Sequence, residues 1–276
     1  MGISLVETPL FDEGGRRILT KPYRVFDNEC LRYYNISNIR WDFESIAERY
    51  NRFGGFEFKV DSVKIADSCS ALRDVFSRNP QLSNLFKGVH VPFVVPKIEK
   101  GQDLSESLIG SFLPRLEASF RAEYPAAHFK AVMQGGAQLT NSLRVAQHSR
   151  YENFIRAAEV ASVAGWYFPQ ALQQFDVASQ ILQMQELPNV EGLCLSGPAE
   201  IIYAVMGKPD LLINEDGYAP VLCMSALRHA DDRLALVLKA YGPHLEFWCL
   251  SQMLAPGVTQ VSEQWSGGVT LFSSLA

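Results

Sequence analysis

Ser196 lies at a predicted turn between a strand and a helix, and its position is the first that suggests chemistry. The apolar run 193–195 reads as a strand, and the run 199–206 has the pattern of a helix with Pro198 in its first turn. Hydrolases place a nucleophilic serine at such a turn within Gly-x-Ser-x-Gly, but position 194 is a cysteine. Ser196 is therefore a candidate nucleophile, a residue at an anion-binding helix N-terminus, or a helix cap, and the capping role is favoured.

A second group of candidate residues lies in the last third of the chain. His229 and Asp231 are on one predicted loop, with Asp232 beside them, and His244 follows the next predicted turn. A histidine near carboxylates suits general acid–base catalysis or a weak metal site. The alternative is that these strand ends carry polar residues only because they face water. The catalytic interpretation requires both loops to cluster at one end of a sheet.

The remaining motifs predict neither a cofactor nor a metal site. The glycine turn at 134–140 lacks the lysine of a Walker motif and the third glycine of a dinucleotide-binding fingerprint. The five cysteines are widely spaced and never form Cys-x-x-Cys. A zinc site needs paired ligands, and no histidine lies close to a cysteine in such a pattern. We interpret the cysteines as buried, reduced thiols of a protein in a reducing compartment.

A helix predicted over Pro169–Leu187 carries six glutamines but only two charged residues, Asp176 and Glu186. A helix face in water usually carries more charge, because charge favours solubility and helical ion pairs. Neutral amides cost less to desolvate than charged groups, so they suit an interface that excludes water. We therefore predict that this helix presents Gln173 and Gln180 to a protein partner, with an ordinary solvated face as the alternative.

Apolar periodicity and turn residues predict both helices and strands along the chain. The predicted helices cover residues 42–52, 68–79, 105–123, 141–164, 169–187 and 199–206, and the predicted strands cover residues 56–65, 89–96, 128–133, 193–195, 219–227, 233–241, 244–250 and 269–272. Short turns between successive strands predict a three-stranded antiparallel meander over Val221–Leu250. We therefore predict an α+β fold, in which helices pack on a mainly antiparallel sheet and this C-terminal meander is its clearest part.

The length of 276 residues has room for one large or two medium domains. We divide the chain into residues 1–140, an N-terminal α/β region with an N-terminal arm, and residues 141–276. The second region is a helical pair followed by a strand, a helix and the meander. The alternative is one continuous domain.

Charge is distributed unequally along the chain. Residues 1–156 carry 21 Lys and Arg against 18 Asp and Glu, whereas residues 157–276 carry 4 against 12. The acidic second part argues against nucleic acid as its main partner and allows a basic partner or self-association. No apolar run approaches the ~20 residues of a membrane span, and the N-terminus lacks the pattern of a signal peptide. We therefore expect no membrane partner and a cytoplasmic location.

These observations favour a protein that acts by binding. We predict a non-enzymatic interaction or assembly subunit of a larger intracellular protein complex, with a protein partner or a homo-oligomer. The alternative is a small hydrolase or transferase that uses the Ser196 turn or the His229 and His244 loops. Nucleic-acid binding through the mildly basic region 115–156 is a third, less favoured class.

Overall fold

The computed structural model describes residues 8–19, 40–133, 138–173, 175–213, 221–251 and 265–275. Helices and strands are interleaved and most strand pairs are antiparallel, which confirms the predicted α+β class. The α-helices are α1 (Phe43–Phe53), α2 (Ser62–Ser77), α3 (Leu104–Ser107), α4 (Leu113–Glu123), α5 (Tyr151–Val160), α6 (Val177–Glu186) and α7 (Pro198–Gly207). The strands are β1 (Val91–Val95), β2 (Phe129–Met133), β3 (Leu143–Val145), β4 (Val163–Phe168), β5 (Leu193–Leu195), β6 (Val221–Cys223), β7 (Leu227–His229), β8 (Leu234–Tyr241), β9 (His244–Ser251), β10 (Trp265–Gly267) and β11 (Val269–Ser274).

A four-stranded antiparallel sheet has the strand order β1-β4-β11-β5. Helices α2, α5 and α7 pack against it, and every residue of β4 is buried. β1 is an end strand, as Pro92 predicts, because proline has no N–H to donate to a central ladder. The last strand, β11, lies in the interior of this sheet between β4 and β5.

α7 lies at the centre of the helical packing. All ten of its residues are buried, because its sequence is apolar on every side apart from Glu200 and the Tyr203 hydroxyl. It contacts β1, α1 and α4. The structure confirms the predicted helix over 199–206 and its start at Pro198.

The C-terminal strands belong to a second, mixed sheet with the order β10-β6-β8-β9-β2. β8 and β9 form an antiparallel hairpin, and β6 pairs antiparallel with β8 over Leu222–Cys223. The first strand of the predicted meander, 219–227, is not continuous. After β6 the chain turns away, and β7 pairs with β3 in a separate two-stranded sheet. Ser225 stabilises this turn, because its hydroxyl donates to the buried Gln180 amide oxygen.

The predicted helix over 141–164 is wrong. The segment forms β3, α5 and the first residues of β4. Asn141, His148 and Arg150 have positive φ angles, which an α-helix cannot contain. The Arg150 guanidinium donates to three main-chain carbonyl oxygens around the end of α6. These long-range hydrogen bonds stabilise a break that the local sequence does not indicate.

The predicted helix over 105–123 is present as a helical stretch, but its middle is a π-helical turn, Leu108–Phe112, between α3 and α4. The Leu113 N–H bonds to the Leu108 carbonyl, five residues back. Pro114 follows at once and lacks an N–H. Its ring would also clash with the carbonyl four residues earlier, so a wider turn accommodates it.

The predicted strand over 56–65 is wrong. Residues 54–61 form a loop, and α2 begins at Ser62. The Asp61 carboxylate caps this helix by accepting from two N–H groups of its first turn. This cap begins the helix six residues before the predicted start at Ser68.

The described part of the N-terminal arm packs on the chain's own body. Phe11 and Arg17 pair across a short hairpin, and both are buried. The Arg17 N–H donates to the Ala171 carbonyl at 2.8 Å, and its guanidinium contacts Glu186 at 3.3 Å. The rest of the predicted arm lies outside the described residues.

One cluster of buried apolar side chains runs from Phe11 to Phe272. It includes residues on both sides of position 140. The division into two regions stays a prediction.

Candidate functional site

The turn between β5 and α7, residues 196–198, holds Ser196 inside the protein with no exposed surface. The Ser196 hydroxyl shares a 2.8 Å hydrogen bond with the Thr270 hydroxyl. Its N–H donates to the Gly268 carbonyl at 3.1 Å, and its carbonyl accepts from the Ala226 N–H at 2.9 Å. The N-cap of α7 is Gly197, so the predicted capping role of Ser196 is wrong. Ser196 instead joins three segments of the chain.

Glu200 satisfies the start of α7 from inside the helix. Its carboxylate accepts from the Gly197 N–H at 2.7 Å, the Tyr151 hydroxyl at 2.9 Å and the Thr270 hydroxyl at 3.1 Å. The carboxyl is fully buried, and this desolvation raises the pKa of Glu200 to about 7, although the three donors oppose the shift. Glu200 therefore titrates near neutral pH in the folded protein.

The hydrogen-bonded chain Ser196–Thr270–Glu200 supports packing rather than catalysis. All three side chains have 0% exposure. A nucleophilic serine needs a base within hydrogen-bond reach and a path for substrate, whereas the Ser196 hydroxyl contacts a threonine. Gly268 leaves no further room: a Cβ there would lie 2.4 Å from the Tyr167 ring and 3.1 Å from the Ser196 hydroxyl. The network therefore ties β5, α7 and β11 together.

His229 lies at the end of β7 and is buried, at 7% exposure. Its Nδ1 accepts from the Asp231 N–H at 2.9 Å, and its Nε2 lies 3.2 Å from the Gln138 carbonyl oxygen. The Asp231 carboxylate contacts Arg233 at 2.8 and 2.6 Å, and hydrogen bonds from Arg233 lower the pKa of Asp231 to about 2. The imidazole and the carboxylate therefore have different partners, although they share a loop.

The register of the β8–β9 hairpin separates His229 from His244. His244 pairs with Tyr241 at one end of the hairpin, whereas Leu234, which follows the His229 loop, pairs with Ser251 at the other end. Each strand has eight residues, so the two ends lie roughly 23 Å apart at about 3.3 Å per residue. The prediction that both loops cluster at one end is wrong, because one loop enters β8 and the other leaves it.

His244 stacks instead on His128, which directly precedes β2. The centroids of the two rings are 3.7 Å apart, and the backbone N–H of His128 donates to His244 Nδ1 at 3.1 Å. His128 Nε2 lies 3.7 Å from the Glu246 carboxylate. These contacts join the starts of β2 and β9.

Gln173 and Gln180, the predicted partner-binding residues, lie inside the chain at 2% and 0% exposure. The predicted helix over 169–187 is present only as α6, so Gln173 lies in the turn before it. The Gln180 amide donates to the Phe175 carbonyl at 2.8 Å and accepts from the Ser225 hydroxyl. The Gln173 amide oxygen accepts from Arg16 at 3.2 Å. Backbone and hydroxyl partners satisfy the neutral Gln180 amide without a buried charge, whereas Gln173 Nε2 is buried and finds no hydrogen-bond partner among the described residues. In this conformation neither side chain is available to a partner.

Four cysteines lie within the described residues, they are buried, and none of them forms a disulfide: Cys69, Cys194, Cys223 and Cys249; Cys30 lies outside the described residues. Within the described ranges, no three His, Cys, Asp or Glu side chains are grouped closely enough to hold a metal ion. Nor does the described part of the chain contain a helix with the length and hydrophobicity to cross a membrane.

Phe56 is the surface feature that sequence reasoning missed. Its side chain is 99% exposed in the loop between α1 and α2, whereas Phe58 and Val60, which alternate with it, are 8% exposed each. The alternation suggested that all three side chains face inward. A signal against a strand was present, since Gly54-Gly55 ends one helix and Asp61 can cap the next, which leaves too little chain between them.

The Phe56 turn, residues 54–58, has a defined backbone. The Gly54 N–H donates to the Tyr50 carbonyl at 2.8 Å, and the Phe58 N–H donates to the Gly55 carbonyl at 3.2 Å. Gly55 has φ +118°, a conformation that side chains disfavour. A Cβ on Gly54 would lie 2.3 Å from the Phe58 ring. Two glycines and one buried ring therefore fix the backbone of the turn that carries Phe56.

Phe58 anchors the turn in a cluster of aromatic rings. Its ring centroid lies 6.3 Å from those of Tyr50 and Tyr203. The Tyr50 hydroxyl donates to the Tyr203 carbonyl at 2.9 Å, and Arg115 donates to the Tyr203 hydroxyl at 2.7 Å. The Arg115 guanidinium also lies beside Gly55, because a Cβ there would be 2.9 Å from Nη2. The exposed ring thus projects from a packed base that carries a cation.

Comparisons of the chain with family models, curated proteins and solved structures find no match.

Proposed function

We propose that the protein is a non-enzymatic interaction or assembly subunit of a larger complex in the cytoplasm, and that a protein partner binds the Phe56 turn. The observation that carries this proposal is the 99% exposure of Phe56 on a turn whose neighbours are tightly packed. The candidate catalytic residues Ser196 and His229 are buried, and His244 lies at the far end of a hairpin from His229. Within the described residues, these candidates are therefore not brought together in the site that the hydrolase or transferase alternative requires.

An aromatic side chain on an ordered turn is well suited to binding. Burial of a phenylalanine side chain in a partner's pocket contributes about 1.5–3 kcal/mol. The ring has few rotatable bonds and its turn is already ordered, so binding costs less conformational entropy than it would for a flexible loop. Buried aromatic anchors of this kind supply a large share of the binding energy in protein interfaces.

The partner that fits this turn has an apolar pocket with an acidic rim. Arg115 lies at the base of the turn, and the exposed Arg52 lies near it in sequence with its guanidinium 5.0 Å from the Phe53 ring centroid. A carboxylate on the partner would pair with these cations at the edge of the pocket, where electrostatic complementarity selects the partner and speeds association.

The test is a comparison of three tagged proteins captured from native lysate: wild type, Phe56→Ser and the control Val75→Ser. Val75 is 60% exposed on α2, so its replacement removes a similar exposed apolar side chain elsewhere. We expect one protein to bind wild type and Val75→Ser in fixed stoichiometry and to be lost with Phe56→Ser. Identical captured proteins for all three would contradict the proposal, provided that circular dichroism shows the variants folded.

A further inference from the structure

β2 lies at the end of its sheet among the described strands, and part of it is exposed. It has β9 as its one neighbour among the described strands, and its Lys130 and Ala131 side chains are exposed. β1 also ends a sheet, but all five of its residues are buried. An exposed end strand presents unpaired N–H and C=O groups that can pair with another strand.

The hydrogen bonds to β9 show which groups of β2 face outward. The His128 carbonyl accepts from the Leu245 N–H at 3.1 Å, and the two strands are parallel with Phe129 opposite Leu245. In such a pair, alternate residues direct their N–H and C=O toward the neighbour. The backbone N–H and C=O groups of the even-numbered residues of β2 therefore point toward β9. Those of Phe129, Ala131 and Met133 point away from it.

We propose that two copies of this chain associate by antiparallel pairing of β2 with β2, around a twofold axis at Ala131. This inference goes beyond the proposed function and does not depend on the Phe56 turn. In this register Ala131 lies opposite its own copy, Phe129 lies opposite Met133, and Lys130 lies opposite Val132. The two five-stranded sheets become one sheet of ten strands.

The register satisfies both the backbone and the side chains. The outward-facing residues 129, 131 and 133 all fall in hydrogen-bonded pairs, and residues 130 and 132 fall in the alternate pairs between them. An aromatic ring lies opposite a methionine, and no lysine lies opposite another lysine. The small Ala131 side chains at the axis allow close approach. No like charges therefore lie directly opposite each other along the strand, and the two Lys130 side chains are diagonal neighbours on one face.

The faces of the sheet also match. In the β2–β9 register, Lys130 lies opposite Glu246 and Val132 lies opposite Trp248, so these two residues of β2 share one face of the sheet. A twofold axis perpendicular to the sheet keeps Lys130 and Val132 of both copies on the same face. In the paired sheet, each face of one copy therefore continues as the same face of the other copy.

The mass in solution tests the proposal. We expect wild type to sediment at twice the 30.9 kDa of one chain at micromolar concentration. Ala131→Lys alone and Ala131→Glu alone place like charges opposite each other at the axis, so each should sediment as a monomer. An equal mixture of the two should recover the doubled mass, because opposite charges then face each other. The matched control pair, Val75→Lys and Val75→Glu, should behave as wild type.

A wild-type monomer at 100 µM would overturn the proposal, as would a dimer that neither Ala131 variant disrupts. If both charged variants fail to fold, Ala131→Cys provides the second test. Opposed residues of a hydrogen-bonded pair have Cα atoms about 5.5 Å apart, within disulfide range, so mild oxidation should yield a covalent dimer. Absence of that product, with Val75→Cys as the control, would also refute the pairing. Phe56→Ser should keep the doubled mass, which separates this inference from the proposed function.

Discussion

The Ser196 turn and the Phe56 turn both contain glycine and both lead toward a helix, yet one is closed and the other is open. At the Ser196 turn, Ser196 and Glu200 belong to residue types that are common in catalytic sites, yet both are fully buried. Ser196 hydrogen-bonds to Thr270, and Glu200 accepts from the Gly197 N–H. In the Phe56 turn, an apolar ring is 99% exposed. Residue type alone suggested the opposite arrangement. The comparison shows that side chains of catalytic residue types can be structural, while an apolar side chain is the exposed candidate for binding.

One helix supports both turns. α7 begins at the Ser196 turn with Glu200 in its first turn, and three residues later Tyr203 contacts Phe58 beneath the Phe56 turn. Substitutions near Glu200 and substitutions near Tyr203 should therefore differ in how they change the free energy of unfolding and the exposed Phe56 turn.

The largest expected effect separates the two phenylalanines of the Phe56 turn. Phe58→Ala should lower the free energy of unfolding by about 3 kcal/mol, because it removes a buried ring from between Tyr50 and Tyr203. Phe56→Ser should change it by less than about 0.5 kcal/mol, because the ring contacts water. Urea unfolding followed by circular dichroism measures both. Equal losses would show that Phe56 packs in solution and would break the comparison.

A smaller effect should reveal the buried carboxyl of the Ser196 turn. Folded Glu200 keeps its proton up to about pH 7, whereas an ordinary glutamate releases it near 4.5. Between these two pH values the folded state binds more protons than the unfolded state. The free energy of unfolding therefore falls as pH rises, and it stops falling above about pH 7. The loss between pH 5 and pH 8 should be about 2 kcal/mol.

Glu200→Gln should remove this pH dependence, because a neutral amide has no proton to release in that range. The measurement is urea unfolding at pH 5 and pH 8 for wild type, Glu200→Gln and the exposed control Glu152→Gln. If Glu200→Gln retained the full decrease that wild type shows, another group would be responsible for it.

A smaller loss of stability than the one at Glu200 is expected at the serine that first suggested chemistry. Ser196→Ala removes one hydrogen bond, to Thr270, and should lower the free energy of unfolding by about 1 kcal/mol. Thr270 still donates to Glu200 in this variant, so the rest of the network is kept. Calorimetry should show a decrease in Tm of about 2–4 °C. No decrease at all would show that the Ser196 hydroxyl is not part of the buried network.

Local patterns predicted several elements where sequence and tertiary contacts agree. The strand 193–195, the helix from Pro198 and the final strand near Val269 are all present. Each has apolar residues with a clear boundary residue beside it. The helix over 141–164 failed, because its break at Arg150 is stabilised by carbonyls more than 30 residues away.

The candidate sites were predicted less well than the fold. The sequence placed His229 and His244 in loops near strand ends, but these loops lie at opposite ends of the β8–β9 hairpin. Gln173 and Gln180 were assigned to a protein interface because their amides are neutral and the predicted helix carries few charges, whereas Gln180 finds its partners in Phe175 and Ser225 inside the chain. Pairing between distant segments leaves no periodic signal in either segment.

The sequence by itself determined the α+β class, the apolar helix α7 and the turn residues that begin and end many elements. These depend on backbone preferences and on hydrophobic period, which act over a few residues. Only the tertiary structure decided that Gln180 is buried and Phe56 exposed. The free energy of a side chain in the folded state depends on which distant segments cover it and which partners they offer, and neither is a property of the local sequence.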